Sequence, residues 1–291
     1  MSFSGRSILS RLSEIMKSAN LPLMLFLLVA VTVAASRAPG VPDFQAGMDA
    51  YKKGDYATAL KEWRPLAEKG EARAQLALGL MYAHGQGVPI DQGEAVKWFQ
   101  AAAEQGLPAA QVSMGQAYIE GRGVSRDFKE AMKWYRLAAE HCDALGEHNL
   151  GVMYRDGEGV PRDGREAVRW FRMAADQGFA ESQAALGFMN RDGEGVAKDY
   201  KEAVKWFRMA ADQGDAAAQW GLGSMYFMGW GVPRDYVQAL MWNGLASEQG
   251  HTAANADLTF IAARMTQAQV EKAQRLAKEW KPKKSAPEAD K

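Results

Sequence analysis

The sequence repeats itself every 36 residues, and this periodicity limits the possible folds more than any other feature of the chain. A glycine, an aspartate and a tryptophan each recur five times at this spacing. Sequences with such a period fold as arrays of stacked units, because one unit cannot bury its apolar face alone. The recurring positions are Gly79, Gly115, Gly151, Gly187 and Gly223; Asp91, Asp127, Asp163, Asp199 and Asp235; and Trp98, Trp134, Trp170, Trp206 and Trp242.

Each repeat has the pattern of two helices. In the first helix, Ala74, Leu78 and Met81 recur at the spacing of one helical face, and Gly79 on that face allows a neighbouring helix to approach closely. The Gly85-Gln86-Gly87 segment predicts the end of this helix, because glycine adopts the left-handed conformation at little cost.

The second helix is predicted to begin after Asp91. A Glu or Gln stands three residues after this aspartate in every copy, which is the spacing of a capping box. Trp98 and Phe99 follow at core spacing, and we interpret them as core rather than as a stacking platform for sugars or bases. A closing glycine ends the helix in four of the five repeats, and Cys142 takes that place in the other one.

The combined pattern Ala-x-x-x-Leu-Gly-x-x-Tyr-x-x-Gly-x-Gly-Val-x-x-Asp-x-x-x-Ala-x-x-Trp-x-x-x-Ala-Ala-x-x-Gly resembles the Sel1-like repeat, a relative of the tetratricopeptide repeat. The resemblance implies an all-α fold, an α-solenoid of stacked antiparallel helix pairs that forms a right-handed superhelix. Asn190 replaces the tyrosine of the pattern and Asn243 the aromatic residue after Trp242. The five repeats are 71–106, 107–142, 143–178, 179–214 and 215–250.

The segments on either side of the repeats are expected to close the array. Residues 44–70 resemble a tetratricopeptide unit without the Gly-x-Gly loop. Residues 251–280 are expected to form capping helices: 251–264 has the pattern of the first helix of a further unit, and 265–280 is similar to the closing helix of many bacterial Sel1-like proteins. Thr266 and Gln269 are spaced to cap the last helix, which we expect to run to about Trp280. Residues 281–291 are polar and contain two prolines, so we predict a disordered tail.

The N-terminus has the pattern of a signal peptide. Three basic residues precede the uncharged apolar run Leu21–Ala35, which is shorter than most membrane-spanning helices and ends in small residues. We predict a signal peptide at 1–35 that is cleaved after Ala35, a linker at 36–43, and a periplasmic or secreted protein. The alternative is an inner-membrane protein anchored by residues 21–35, and only this alternative implies membrane contact.

Charge and cysteine content exclude several classes of protein. Without residues 1–35 the chain has 32 Lys and Arg residues and 34 Asp and Glu residues, so its net charge is about −2. Such a chain lacks the basic surface that nucleic-acid binding requires. Cys142 is the only cysteine, which excludes an intramolecular disulfide.

No motif indicates a cofactor, a metal site or an active site. The Gly-x-Gly turns lack the strand and the further residues of a phosphate-binding loop, and the acidic turns at 155–159 and 191–195 lack the ligand order of an EF-hand. His141, Cys142 and His148 are too few for a closed zinc site. The sequence therefore predicts no enzyme. Some Sel1-like proteins with paired cysteines have been linked to β-lactam binding, and this disfavoured alternative would require cysteine pairs that the chain lacks.

The positions that differ between repeats predict the binding surface. By resemblance to tetratricopeptide arrays, three rows of first-helix residues line a concave face that binds another protein, whose identity the sequence does not reveal. The rows are Leu76, Val112, His148, Ala184 and Trp220; Leu80, Gln116, Val152, Phe188 and Ser224; and Ala83, Ile119, Arg155, Arg191 and Phe227.

An aromatic cluster near the C-terminal end of the array is the strongest candidate within this surface. Trp220, Phe227, Met228 and Trp230 stand where other repeats mostly have small or polar residues, so the stack does not require them. Either they form an exposed interaction site, or the helices after His251 cover them. Phe188, Arg155 and Arg191 are further candidates, and in the second case the binding site is expected around Arg155 and Arg191. The family resemblance implies an exported adaptor that regulates or assembles a complex of the bacterial cell envelope.

Overall fold

The structure is a computed structural model that describes residues 42–283. The predicted signal peptide at 1–35, most of the predicted linker and the tail from residue 284 lie outside the described residues. The chain divides into two compact units, one up to Ser113 and one from Met114 onwards. The division falls within one helix, the first helix of the second repeat.

The described part of the chain consists of fourteen α-helices and contains no strand, and consecutive helices pack against each other as pairs. This confirms the predicted all-α fold of stacked helix pairs. The helices are α1 (Phe44–Lys52), α2 (Tyr56–Glu68), α3 (Ala72–His84), α4 (Gln92–Ala103), α5 (Pro108–Glu120), α6 (Phe128–Glu140), α7 (Ala144–Asp156), α8 (Gly164–Asp176), α9 (Ala180–Asp192), α10 (Tyr200–Gln213), α11 (Ala216–Met228), α12 (Tyr236–Glu248), α13 (Thr252–Ala262) and α14 (Gln267–Glu279).

The first unit contains α1 to α4 and the start of α5. Trp63 of α2 packs directly over Gly47 of α1, where an added Cβ would lie 2.6 Å from the indole Cδ1 and still closer to Nε1. The Trp63 Nε1–H donates a hydrogen bond to the Phe44 carbonyl oxygen at 3.0 Å. Met48 and Leu78 complete this core. The segment 44–70 is therefore a helix pair that packs on the first helix of the array.

The second unit contains the end of α5 and all later helices. Helix α7 packs with α8, α9 with α10, and α11 with α12. The last helix departs from this pattern, because α14 packs against α12. Trp280 meets Trp242 edge-on with ring centroids 6.1 Å apart, and the backbone N–H of Lys283 donates to the Asp212 carbonyl oxygen at 2.7 Å. The C-terminal segment thus packs on α12 and reaches the end of α10.

The second helix of each repeat begins at its aspartate, as predicted. The Asp91 carboxylate accepts a hydrogen bond from the Glu94 N–H at 2.9 Å. The reciprocal half of the predicted capping box is not formed there, because Glu94 pairs with the ammonium group of Lys97 one turn later. A complete capping box is formed at Thr266 and Gln269. The corresponding aspartate caps are Asp127, Asp163, Asp199 and Asp235.

Left-handed residues end the helices at the predicted positions. Gly85 has a φ of 69°, and Gly106 has a φ of 84°. Cys142 has a φ of 55° and is the only residue other than glycine with a positive φ in the described part of the chain. A side chain at such a position costs about 1 kcal/mol or more relative to glycine.

A glycine on each repeat's first helix receives a side chain from the second helix, and in four of the five repeats that side chain is an aromatic ring. At Gly151, an added Cβ would lie 2.6 Å from the ring of Phe171, which is fully buried. The predicted core role of the residue after each tryptophan is thereby confirmed. Gly79 receives Phe99, Gly115 receives Tyr135, Gly187 receives Phe207, and Gly223 receives the Asn243 amide.

The second glycine of the Gly-x-Gly turn is in contact with the preceding repeat. An added Cβ at Gly159 would lie 2.8 Å from the carbonyl oxygen of Phe128, the first residue of α6. Gly195 lies in the same way against Gly164, and Gly231 lies against Tyr200. The absence of a side chain here allows one repeat to stack directly on the start of the earlier second helix.

Candidate functional site

The first row of the predicted binding surface is largely buried. Leu76, Val112 and Ala184 are each 6% exposed or less, contrary to the expectation that this row lines a groove. Ala184, for example, belongs to the same packed core as Leu222, because consecutive first helices such as α9 and α11 touch each other. Only the large members of the row, His148 and Trp220, remain partly exposed.

Trp220 is held in place by helix α13 and the residue before it. Its indole N–H donates a hydrogen bond to Asp257 Oδ2 at 2.9 Å. Its ring stacks on His251, with centroids 5.2 Å apart and an interplanar angle of 25°, and lies 5.9 Å from the Phe188 ring. The two alternatives for Trp220 were an exposed interaction site and cover by the helices after His251. The structure shows that these helices cover the side chain in part.

Phe227 is also partly covered by the α13 region. Its ring lies 5.5 Å from Phe260 and 5.6 Å from Tyr236, and the Arg264 guanidinium is 5.6 Å above it. Met228, the next residue, remains 41% exposed. The aromatic residues at this end are thus partly integrated into the fold.

Trp230 lies in a different environment from the other members of the predicted cluster. Its indole stacks on the Tyr200 ring with centroids 5.0 Å apart and an interplanar angle of 11°. This contact joins the turn after α11 to the first residue of α10. The sequence-predicted cluster is therefore divided between two places, with Trp220 and Phe227 near α13 and Trp230 at the turn.

The two arginines of the candidate surface are each paired with the next residue. Arg155 donates two hydrogen bonds to the Asp156 carboxylate at 2.7 and 2.8 Å, and Arg191 forms the same pair of bonds with Asp192 at 2.8 Å. The Arg191 guanidinium also lies 4.9 Å from the centroid of the Phe188 ring. These contacts hold both guanidinium groups in place and partly neutralise them.

A series of buried glutamines, which we call the glutamine ladder, lies behind this surface. Gln75 donates to the Ala67 carbonyl oxygen at 3.1 Å and accepts a hydrogen bond from Gln105 at 2.7 Å. The ladder continues at Gln183, bonded to Ala175 and Gln213, and at Gln219, bonded to Ala211 and Gln249.

Glu147 replaces the ladder glutamine in the third repeat. It is 1% exposed and accepts a hydrogen bond from Gln177 at 2.7 Å. Burial raises its pKa to about 7, with a further contribution from the nearby Asp143 carboxylate, although the Gln177 bond opposes the shift. An ionised carboxylate has no proton to donate to the backbone, so this step of the ladder lacks one hydrogen bond whenever Glu147 is charged.

His148 is neutral at neutral pH. Burial lowers its pKa to about 4, and the positive charge of Arg155 acts in the same direction. The ring is fixed by a 2.9 Å hydrogen bond between Nδ1 and Ser182 Oγ and by contacts with Phe171 and Phe179. His148 therefore contributes a rigid neutral surface.

Sequence reasoning missed four residues that contribute to the surface near α13: His251, Asp257, Phe260 and Arg264. The signal was available in the 36-residue step, because Phe260 is 36 positions after Ser224 and therefore extends the second row by one unit.

In residues 42–283, no group of three or more His, Cys, Asp or Glu side chains is arranged to hold a metal ion. Within the same range, no helix has the length and apolar character needed to cross a membrane.

Comparison with known proteins identifies the repeat. The Sel1 repeat model matches the chain at residues 72–107, 108–141, 144–179, 180–215 and 216–251. Sel1 repeat proteins are generally helical scaffolds for protein interactions. A comparison with curated proteins found no significant match.

Two solved structures share both fold and sequence with this chain. A Sel1 repeat protein from Oxalobacter formigenes is 32% identical, with a TM-score of 0.72 over 84% of this chain and 99% of its own. A protective antigen of uropathogenic Escherichia coli with an SLR fold is 35% identical, with a TM-score of 0.70 over 82% of this chain. The match spans 54% of the antigen's own length. By its repeats and by these relatives, the chain belongs to the Sel1 repeat family.

Proposed function

We propose that this protein is an exported scaffold that holds another protein of the cell envelope against the exposed side of α7, α9, α11 and α13. We call this side the first-helix face. The observation that carries the proposal is the fixed orientation of large, partly exposed side chains on this face. Trp220 is held by Asp257, and Arg191 is held by Asp192 and Phe188. Side chains ordered in advance lose less entropy on binding, which favours their use in recognition.

A second observation that supports binding is the variation in side chains from one repeat to the next along this face. Equivalent positions carry Val152, Phe188 and Ser224, while the glycine and aromatic positions that build the stack hardly change. A surface that differs from repeat to repeat can recognise one partner in one register. The fold supplies a rigid support for it.

Photocrosslinking tests the proposal directly. A photoreactive phenylalanine analogue at Val152 or Ser224, both partly exposed on the first-helix face, should crosslink the chain to one defined partner protein in intact cells. The matched control is the same analogue at Met173, which is 38% exposed on α8. Equal crosslinking from all three positions, or none from the two face positions, would contradict the proposed binding face.

Export rests on the basic residues and the apolar run of the first 35 residues, and it has its own test. We expect the chain in the periplasmic or secreted fraction with a mature N-terminus near Ser36. Recovery of a cytosolic protein that retains Met1 would refute export. It would leave the protein-binding proposal untouched.

The alternative of a β-lactam-binding enzyme has no specific residue or motif in its favour. The paired cysteines that would mark it are absent, since Cys142 is the only cysteine of the chain. The scaffold is therefore the function that the observations favour.

A further inference from the structure

The C-terminal end of the first-helix face carries an unusual combination of exposed apolar and cationic groups. Phe260 is 53% exposed and Met228 is 41% exposed. Phe227 packs against the core, and its ring lies 5.5 Å from that of Phe260. Arg234 and Arg264 border these residues. We call these five residues the Phe260 patch.

Arg264 is held in a defined orientation within the patch. Its guanidinium lies 3.6 Å from the centroid of the Phe260 ring, and its Nη1 donates to the Phe260 carbonyl oxygen at 2.7 Å. A guanidinium stacked on an aromatic face keeps most of its N–H groups at the edge, where they can bind a carboxylate in a bidentate manner.

The patch arginines also differ from the other arginines of the face in their charge balance. Arg155 and Arg191 are each paired with an aspartate. Among the described residues, Arg264 and Arg234 have no ion pair, and the bonds that they donate go to backbone oxygens. The Phe260 patch therefore presents two guanidinium groups that are not engaged in ion pairs within the described part of the chain.

We propose that the Phe260 patch docks a segment of the partner protein in which an acidic residue is adjacent to a large apolar residue. The apolar side chain covers Phe260 and Met228, and the carboxylate accepts hydrogen bonds from Arg264, with Arg234 as a second cation. A basic segment would be repelled by both arginines, and a purely apolar segment would leave their charges without a partner. This inference rests on the proposed function and names the chemistry of the partner.

Selection from a phage-displayed library of random dodecapeptides tests the inference on the full chain. We expect the enriched peptides to contain Asp or Glu next to Leu, Ile, Phe or Trp. Synthetic copies of these peptides should bind the Arg264→Gln and Phe260→Ala variants at least about tenfold more weakly, because central aromatic and arginine contacts commonly contribute that much. The matched control removes an exposed arginine and an exposed apolar residue elsewhere, as Arg169→Gln with Met173→Ala on α8, and should bind normally.

Circular dichroism of each variant separates loss of binding from loss of folding. Arg264→Glu provides a further variant that reverses the charge, and it should weaken the binding of acidic peptides more than Arg264→Gln does. Failure to enrich any peptide, enrichment of basic peptides, or equal binding to wild type and patch variants would each overturn the inference. Peptides that ignore the patch but lose binding when Val152 or Ser224 is replaced by a larger residue would overturn it and still support the proposed scaffold function.

Discussion

Replacement of Glu147 by glutamine should restore the glutamine ladder and remove one source of pH dependence from the stability of the protein. Glu147 is almost fully buried at a position where other repeats have an amide. By analogy with Gln183, which donates to the Ala175 carbonyl oxygen at 3.1 Å, the new amide should donate to the carbonyl oxygen of Ala139. The substitution preserves side-chain size and the hydrogen bond from Gln177.

The pKa of Glu147 gives the magnitude of this effect. It rises from an ordinary value of 4.5 to about 7 in the folded protein. Because the pKa is higher in the folded protein, this carboxyl group does not destabilise the fold at a pH below its unfolded pKa. The free energy of unfolding then falls as the pH rises from the unfolded pKa to the folded pKa. At about 1.36 kcal/mol per pKa unit, the loss is about 3 kcal/mol at pH 8 and below about 1 kcal/mol at pH 5. The new hydrogen bond adds about 1 kcal/mol at both pH values.

Urea unfolding followed by circular dichroism at pH 5 and pH 8 measures the difference. We expect Glu147→Gln to stabilise the protein more at pH 8 than at pH 5, by roughly 2 to 3 kcal/mol. Asp143 and His148 are present in both proteins, so their titration largely cancels in the comparison. Because repeat arrays can unfold in parts, hydrogen exchange of α7 and α8 provides a local measure of the same effect.

The reciprocal variant Gln183→Glu serves as the control, since it places a carboxylate at the same step of the fourth repeat. It should create the pH dependence that Glu147→Gln removes. If Glu147→Gln changed stability equally at both pH values, the carboxylate would not be desolvated in the way the structure indicates, and the argument from the ladder would be refuted.

Two further substitutions test other parts of the structure. Cys142→Gly should raise stability by about 1 kcal/mol, because Cys142 has a φ of 55°, and an unchanged or lowered melting temperature would contradict the left-handed helix end. Trp220→Ala should lower stability by about 2 to 4 kcal/mol through lost contacts with His251 and Asp257, whereas an unchanged melting temperature would show that α13 does not hold this side chain in solution.

The architecture was predictable from the sequence because each structural role recurs at a fixed step. The left-handed helix ends repeat five times and the buried ring opposite the first-helix glycine four times, so each copy tests the interpretation made from the others. Even Cys142 was predictable, since the glycines in the equivalent positions define its backbone conformation. Asp91 shows the limit of such reasoning, because the spacing of a capping box does not reveal that Lys97 competes for Glu94.

The candidate site was less predictable because it depends on single residues from different units. The burial of Leu76 and Ala184 reflects how closely neighbouring first helices pack, which one helical pattern does not specify. The environment of Trp220 is set by Asp257, 37 residues later, in a unit with few of the repeat's marker residues. Side-chain pairs that occur once leave no periodic signal in one sequence.

The contact between the second turn glycine and the preceding second helix has a consequence for how such a chain can change in length. Gly159, Gly195 and Gly231 each meet the earlier repeat at the same place, so the junctions between these neighbours are interchangeable. Duplication or deletion of a whole 36-residue segment recreates this junction at the new join. An insertion of a few residues would instead separate the turn from the helix it rests on. Arrays of this kind are therefore expected to lengthen or shorten in whole modules, with the terminal helix pair carried along unchanged.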